Sequence, residues 1–77
     1  DIQEFNVSKS LIKDGKVWIV KLMTEAKLAS TGSEARRLIQ QGGVTLDGNK
    51  IFDVNFEFEP KSGSIIQVGK RRYIKIK

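Results

Sequence analysis

Ser30-Thr31-Gly32-Ser33-Glu34-Ala35-Arg36-Arg37-Leu38-Ile39-Gln40-Gln41-Gly42-Gly43-Val44-Thr45-Leu46-Asp47-Gly48 reads as loop, helix, glycine stop, strand and tight turn. Ser33 is a good N-cap, and Glu34 suits the positive end of a helix. Ala35, Leu38 and Ile39 fall on one side at helical spacing. At about 100° per residue, Ser33, Arg36, Arg37 and Gln40 share the opposite side. Gly42-Gly43 stops the helix, because glycine enters the left-handed region without a Cβ penalty. Val44 and Leu46 then alternate with polar residues, as in a half-buried strand, and Asp47-Gly48-Asn49 is hairpin-turn chemistry. The stretch therefore predicts an amphipathic helix that delivers two arginines to one surface and runs straight into a strand. A solvated helix shows the same polar face, so composition alone leaves both readings open.

Working outward, the 77 residues support one domain with a small core. The chain has neither cysteine nor histidine. Disulfides, thiolate and imidazole metal ligands, and Cys-His or Ser-His-Asp catalysis are excluded together. No paired-carboxylate or Ser-Lys arrangement stands out at a telling spacing, which sets a free-standing enzyme aside. The formal net charge is +5, and it is unevenly spread: residues 51–60 carry three acids and no base, residues 61–77 six bases and no acid. A basic end on a basic domain points to an anionic partner, nucleic acid first and an acidic membrane surface second. The longest obvious apolar run, Val17-Trp18-Ile19-Val20, falls far short of the roughly 18 residues a membrane-spanning helix needs. No signal peptide is visible, and the lack of cysteine is compatible with a reducing compartment. The first residue is Asp1 rather than methionine, so the expectation is a piece of a longer protein.

Along the chain, Phe5 and Val7 alternate as in a short edge strand, although this lead-in reads equally as a linker. Ser8 can cap a brief helical turn through Leu11 and Ile12 that closes near Gly15. The first full helix is predicted over Lys16–Leu28, with Ile19, Leu22, Met23 and Ala26 on its apolar stripe. Trp18 either covers the N-terminal segment or presents its ring to a partner; packing is the favoured reading. Val54, Phe56 and Phe58 alternate with Asn55, Glu57 and Glu59 in a predicted strand that Pro60 ends. Lys61-Ser62-Gly63-Ser64 is a turn. Ile65–Val68, a two-residue Gly69-Lys70 turn and Arg71–Lys77 make a last hairpin, with Arg71, Tyr73, Lys75 and Lys77 on one face of the final strand. The predicted class is α+β: two packed N-terminal helices, helix-turn-helix-like, followed by a small, mostly antiparallel twisted sheet of about four or five strands.

Leu28-Ala29-Ser30-Thr31-Gly32-Ser33-Glu34-Ala35-Arg36-Arg37 and the following Gly-Gly-Val and Asp-Gly resemble the S-four (S4) RNA-binding domain, named after small-subunit ribosomal protein number four. Pro60-Lys61-Ser62-Gly63-Ser64-Ile65-Ile66 resembles that family's later Pro-Gly-Asp-x-Ile turn, with Ser64 in place of the aspartate. The resemblance implies a lead-in over residues 1–15 and the RNA-binding domain over 16–77. Two further departures stand out. Gly32 occupies a place where the family usually has lysine or arginine. Lys27 stands where a glycine is common, at a cost of up to about 1 kcal/mol if the position needs a positive φ. The lead-in Leu11–Trp18 and the finish Ile66–Tyr73 are similar to the C-terminal domains of bacterial tyrosyl-tRNA synthetases. That similarity implies a tRNA-gripping part of a larger, homodimeric cytoplasmic ligase. The parent would use ATP and magnesium, and this domain would need no cofactor of its own.

The residues that carry the resemblance have a chemistry to match. Folded RNA is read through backbone, 2′-hydroxyls and shape. Ser30, Thr31, Ser33 and the amides at the helix start suit a phosphate, Arg36 and Arg37 offer forked contacts, and Gln40 suits a ribose or base edge. Lys50, Lys70, Arg71, Arg72 and Lys75 would widen the positive surface. Tyr73 is read as packed rather than stacked on a base, and Lys75 and Lys77 near the terminus read equally as solubilising charge. The competing readings are a ribosomal-RNA or pseudouridine-synthase appendage of the same family, and a protein-interaction module that docks a basic partner on Glu57 and Glu59.

Overall fold

Asp14 and Gly15 decide where the first helix begins. Both sit at positive φ, 54° and 79°, and the two residues close a hairpin in which Lys13 faces Lys16 and Ile12 faces Val17. A two-residue turn with both φ values positive matches the twist of the flanking strands. Lys16–Trp18 is consequently a strand, and the helix predicted from Lys16 covers only Ile19–Glu25. Val17 pairs on its other side with Phe58 and is fully buried. β-Branched and aromatic side chains fit a pleated, half-buried surface better than a helical turn. Trp18 keeps extended angles at the N-cap, and the orphan amide of Ile19 donates to the Phe56 carbonyl at 3.0 Å.

The computed structural model describes residues 2–77. In order they form β1 (Gln3–Phe5), a 3-10 turn (Lys9–Leu11), β2 (Ile12–Lys13), β3 (Lys16–Trp18), α1 (Ile19–Glu25), α2 (Gly32–Gln40), β4 (Val44–Leu46), β5 (Asn49–Lys50), β6 (Glu57–Phe58), β7 (Ile65–Val68) and β8 (Arg72–Ile76). The α+β class holds, with two helices and mostly antiparallel pairing. The strands, however, divide into two sheets, and three of them precede the helices. One sheet has the order β1-β8-β7-β4-β5, and the other β2-β3-β6. Among the described residues, only the pairing of β1 with β8 is parallel. The strand predicted over Val54–Glu59 shrinks to Glu57–Phe58, because Asp53 captures the backbone ahead of it. Its carboxylate accepts from Asn55 N at 2.9 Å and its carbonyl from Phe56 N at 3.1 Å. The predicted alternation survives, with Phe58 buried, Val54 and Phe56 half-buried, and Asn55, Glu57 and Glu59 exposed.

The core lies between the helices and one face of the larger sheet. Ile19, Leu22 and Met23 of α1 and Ala35 and Ile39 of α2 are fully buried, as are Val44 and Ile66 of the sheet. Val68, Ile74 and Ile76 are nearly so. The first helix ends in a Schellman arrangement: Leu28 N donates to Met23 O at 2.8 Å and Lys27 N to Thr24 O at 3.2 Å. That places Lys27 at φ 62°, the left-handed conformation. A non-glycine residue is strained there. Lys27→Gly should therefore raise stability by about 0.5–1 kcal/mol, net of the extra freedom glycine has in the unfolded chain. Thermal unfolding should show a melting point several degrees higher, since about 1 kcal/mol moves a domain of this size by roughly 4–8 °C.

Candidate nucleic-acid interface

Helix α2 is oriented by what it buries. With Ala35 and Ile39 in the core and Leu38 half-buried, Ser33, Arg36, Arg37 and Gln40 are all exposed, as their spacing predicts. The N-cap is Thr31 and not Ser33. Thr31 Oγ1 accepts from Glu34 N at 3.1 Å, and Glu34 Oε1 accepts in return from Ser30 N at 2.9 Å. This reciprocal pair is a capping box, Thr31 to Glu34, set one residue earlier on its return bond. Ser33 stands in the first turn with its hydroxyl exposed. The Thr31 hydroxyl and the Ser30 amide are engaged within the chain, and Glu34 adds a negative charge at the helix start. The strongest anion-binding groups on this helix are consequently its arginines, one turn on. The far end closes with Gly43 N on Leu38 O and Gly42 N on Ile39 O, both at 3.0 Å, around Gly42 at φ 75°.

The two arginines have different settings. The Arg36 guanidinium carbon lies 5.5 Å from the centroid of the Trp18 ring, within range of a cation–π contact. Trp18 is half-buried, and its Nε1 donates to the Val54 carbonyl at 2.8 Å. The packing reading of Trp18 holds for one part of the ring, while another part carries Arg36. Arg37 instead lines a hollow of about 610 Å³ between α2 and the β7–β8 hairpin, together with Glu34, Gln41, Gly69 and Arg72. Arg72 Nη1 donates to the Leu28 carbonyl at 3.1 Å. It also lines a neighbouring hollow of about 550 Å³ with Lys27 and Ser30.

The β7–β8 turn has three residues, Gly69 to Arg71, because Val68 faces Arg72. The predicted two-residue turn is displaced by an anchor: Gly69 N donates to Gly43 O at 2.8 Å, and Gln67 Nε2 donates to Gly69 O at 3.0 Å. These bonds tie the tip, with exposed Lys70 and Arg71, to the loop that follows α2. Ser30, Thr31, Ser33, Arg36, Arg37 and Gln40 thus sit on or beside α2, with Arg72 across the groove and Lys70 and Arg71 at its rim.

Lys50 and Lys75 do not join them. Lys75 lies between buried Ile74 and Ile76 and faces Ile65 and Glu4, while Lys50 faces Thr45. Both project from the sheet face that looks away from the helices. Tyr73 shares that face opposite Gln67 and is 40% exposed, so the packed reading of Tyr73 is corrected. Lys13, Lys16 and Lys21, which the sequence reading does not include, gather around Trp18 in a hollow of about 290 Å³. The Asp14-Gly15 turn was the signal that could have found the first two. Among the described residues, no group of three or more acidic residues, histidines or cysteines could hold a metal. Among these residues, too, no helix is long and apolar enough to cross a membrane.

The S4 domain profile matches residues 17–62. The chain belongs to the S4 domain family. It is similar to the tyrosine–tRNA ligase of Moorella thermoacetica, at 45% identity over 65 residues, 84% of this chain and 16% of that protein. The tyrosine–tRNA ligase of Syntrophotalea carbinolica is 45% identical over 73 residues, 94% of this chain and 18% of the relative. The chain spans less than a fifth of the length of these relatives. Among solved structures, the 30S ribosomal protein S4e of Thermoplasma acidophilum superposes with a TM-score of 0.55 at 24% identity, over 73% of this chain and 29% of that one. That likeness establishes the fold.

In this S4 domain, Gly32 is not required by space. A Cβ there would meet Val20 Cγ1 at 3.7 Å and Arg36 Nη1 at 3.8 Å, both ordinary contacts. Thr31→Ala should destabilise the domain by about 1 kcal/mol, whereas Ser33→Ala should stay within about 0.5 kcal/mol of the parent. Urea unfolding of the two variants side by side measures both.

Proposed function

We propose that this domain grips a folded RNA, tRNA for tyrosine, as the RNA-binding part of a tyrosine–tRNA ligase. The observation that carries the reading is the groove in which Arg37 and Arg72 meet, beside the exposed face of α2. Two guanidiniums that line one hollow suit forked contacts to neighbouring phosphates. An open groove at the edge of a basic domain suits the shape and backbone of an A-form helix, whose deep groove is closed to side chains. The S4 family membership and the tyrosine–tRNA ligases that match nearly the whole chain support tRNA over ribosomal RNA as the ligand. Contacts at the anticodon stem and the long variable arm follow from the same resemblance. Arg36, Arg37 and Arg72 form the centre of the site, Ser33 and Gln40 flank it, and Lys70 and Arg71 extend it. Lys50 and Lys75, on the opposite sheet face, act on encounter through the overall field alone.

In this reading the parent is a cytoplasmic homodimer that activates tyrosine with ATP and magnesium in a separate catalytic domain, and this domain binds no cofactor. Tyrosine-dependent ATP–pyrophosphate exchange by the 77-residue chain is therefore expected to be nil, and measurable exchange would reassign the chemistry.

The binding role is tested by titrating transcripts of tRNA for tyrosine against the domain at several salt concentrations. Each phosphate contact contributes roughly 0.7–0.9 to the slope of log K against log salt. Arg36→Ala with Arg37→Ala should lower the slope by about 1.5 with an unchanged circular-dichroism spectrum. A double variant that kept the parent slope would remove both arginines from the interface.

A further inference from the structure

We infer that the RNA footprint does not stop at α2 but continues over Trp18 onto the β2–β3 hairpin, where Lys13, Lys16 and Lys21 hold a second stretch of the phosphate backbone. The inference rests on the RNA reading above and extends it to a surface that no residue of the predicted set occupies. Trp18 is the single tryptophan of the chain. Trp18 is fixed on one edge by the bond from its Nε1 to Val54, and Arg36 lies over its ring. With its central carbon 5.5 Å from the ring centroid, the Arg36 guanidinium gains a cation–π contact and stays exposed to a ligand. The same ring lines the hollow of about 290 Å³ that Lys13, Lys16 and Lys21 surround. Trp18 is therefore shared by two basic surfaces and makes them continuous.

The placement of the three lysines is electrostatically costly for the isolated domain. Lys13 and Lys16 are directly opposed across β2 and β3, and like charges in that position destabilise a strand pair. Lys21 lies in the first turn of α1, where the helix dipole disfavours a cation. Glu57, which pairs with Trp18 in register, lines the hollow, and Asp14 stands at the hairpin turn beside it. These carboxylates offset part of the charge, and with Arg36 the surface remains cationic. A backbone phosphate would add counter-charge to ammonium groups that Glu57 and Asp14 balance only in part.

The test uses the whole chain and the same tRNA transcript. Lys13→Ala/Lys16→Ala/Lys21→Ala removes only exposed side chains, so the fold is retained and circular dichroism verifies it. The expected result is a salt slope lower by about 2, roughly tenfold to a hundredfold weaker binding near 0.1 M salt, and a smaller change in Trp18 emission on binding. If the triple variant keeps the parent slope while the Arg36→Ala/Arg37→Ala variant loses its share, the footprint ends at α2 and this inference is overturned, with the RNA reading intact. If the parent itself does not bind the transcript, both are overturned. Loss of slope in both variants supports both.

Discussion

Helices of seven and nine residues do not persist alone in water. In this domain they exist because their apolar sides are buried against one face of the five-stranded sheet. Ile19, Leu22 and Met23 from one helix and Ala35 and Ile39 from the other meet Ile66, Val68, Ile74 and Ile76. That burial also fixes function at the surface. Once Ala35 and Ile39 point inward, the rotation of α2 is set, and its arginines have only the outside to occupy. The orientation of the cationic face is a by-product of core packing and needs no dedicated contact to hold it.

Much of this was legible in the residues. The period of Ala35, Leu38 and Ile39, the Gly42-Gly43 stop and the Asp47-Gly48 turn each act over a few positions, and each is found where its local chemistry puts it. The strand at Lys16–Trp18 was not. Val17, Ile19 and Val20 fit a buried strand as well as a buried helix, and what decides between them is the pairing of Val17 with Phe58, far along the chain. The Asp14-Gly15 pair carries the same turn chemistry as Asp47-Gly48 and marks a hairpin, whereas the sequence reading takes Gly15 only as the close of a helical turn. Ser33 and Thr31 are both good caps by residue type; the bond from Ser30 to Glu34 selects Thr31 by closing the box.

The candidate site was legible on α2 and less so on the sheet. Helix periodicity alone groups Arg36 with Arg37. Which side of a strand a lysine takes depends on register and on which face the helices cover, and no local signal reveals that for Lys50 or Lys75. The contact of Arg36 with Trp18 lies between residues that sequence alone has no means to join. It makes the two adjacent arginines unlike: one rests on an aromatic plate, while the other stands in an open groove with Arg72.

The parallel pairing of β1 with β8 has a mechanical corollary. Gln3, Glu4 and Phe5 lie alongside Ile74, Lys75 and Ile76, running the same way, and Lys77 N donates to Phe5 O at 3.0 Å. Tension applied to Ile2 and Lys77 in opposite directions would slide these two strands past one another. Every hydrogen bond between them would be strained together, not peeled in turn as in an antiparallel pair pulled from its open end. The seam between the edge strand β1 and its neighbour β8 is thereby the part of this small domain best suited to carry force.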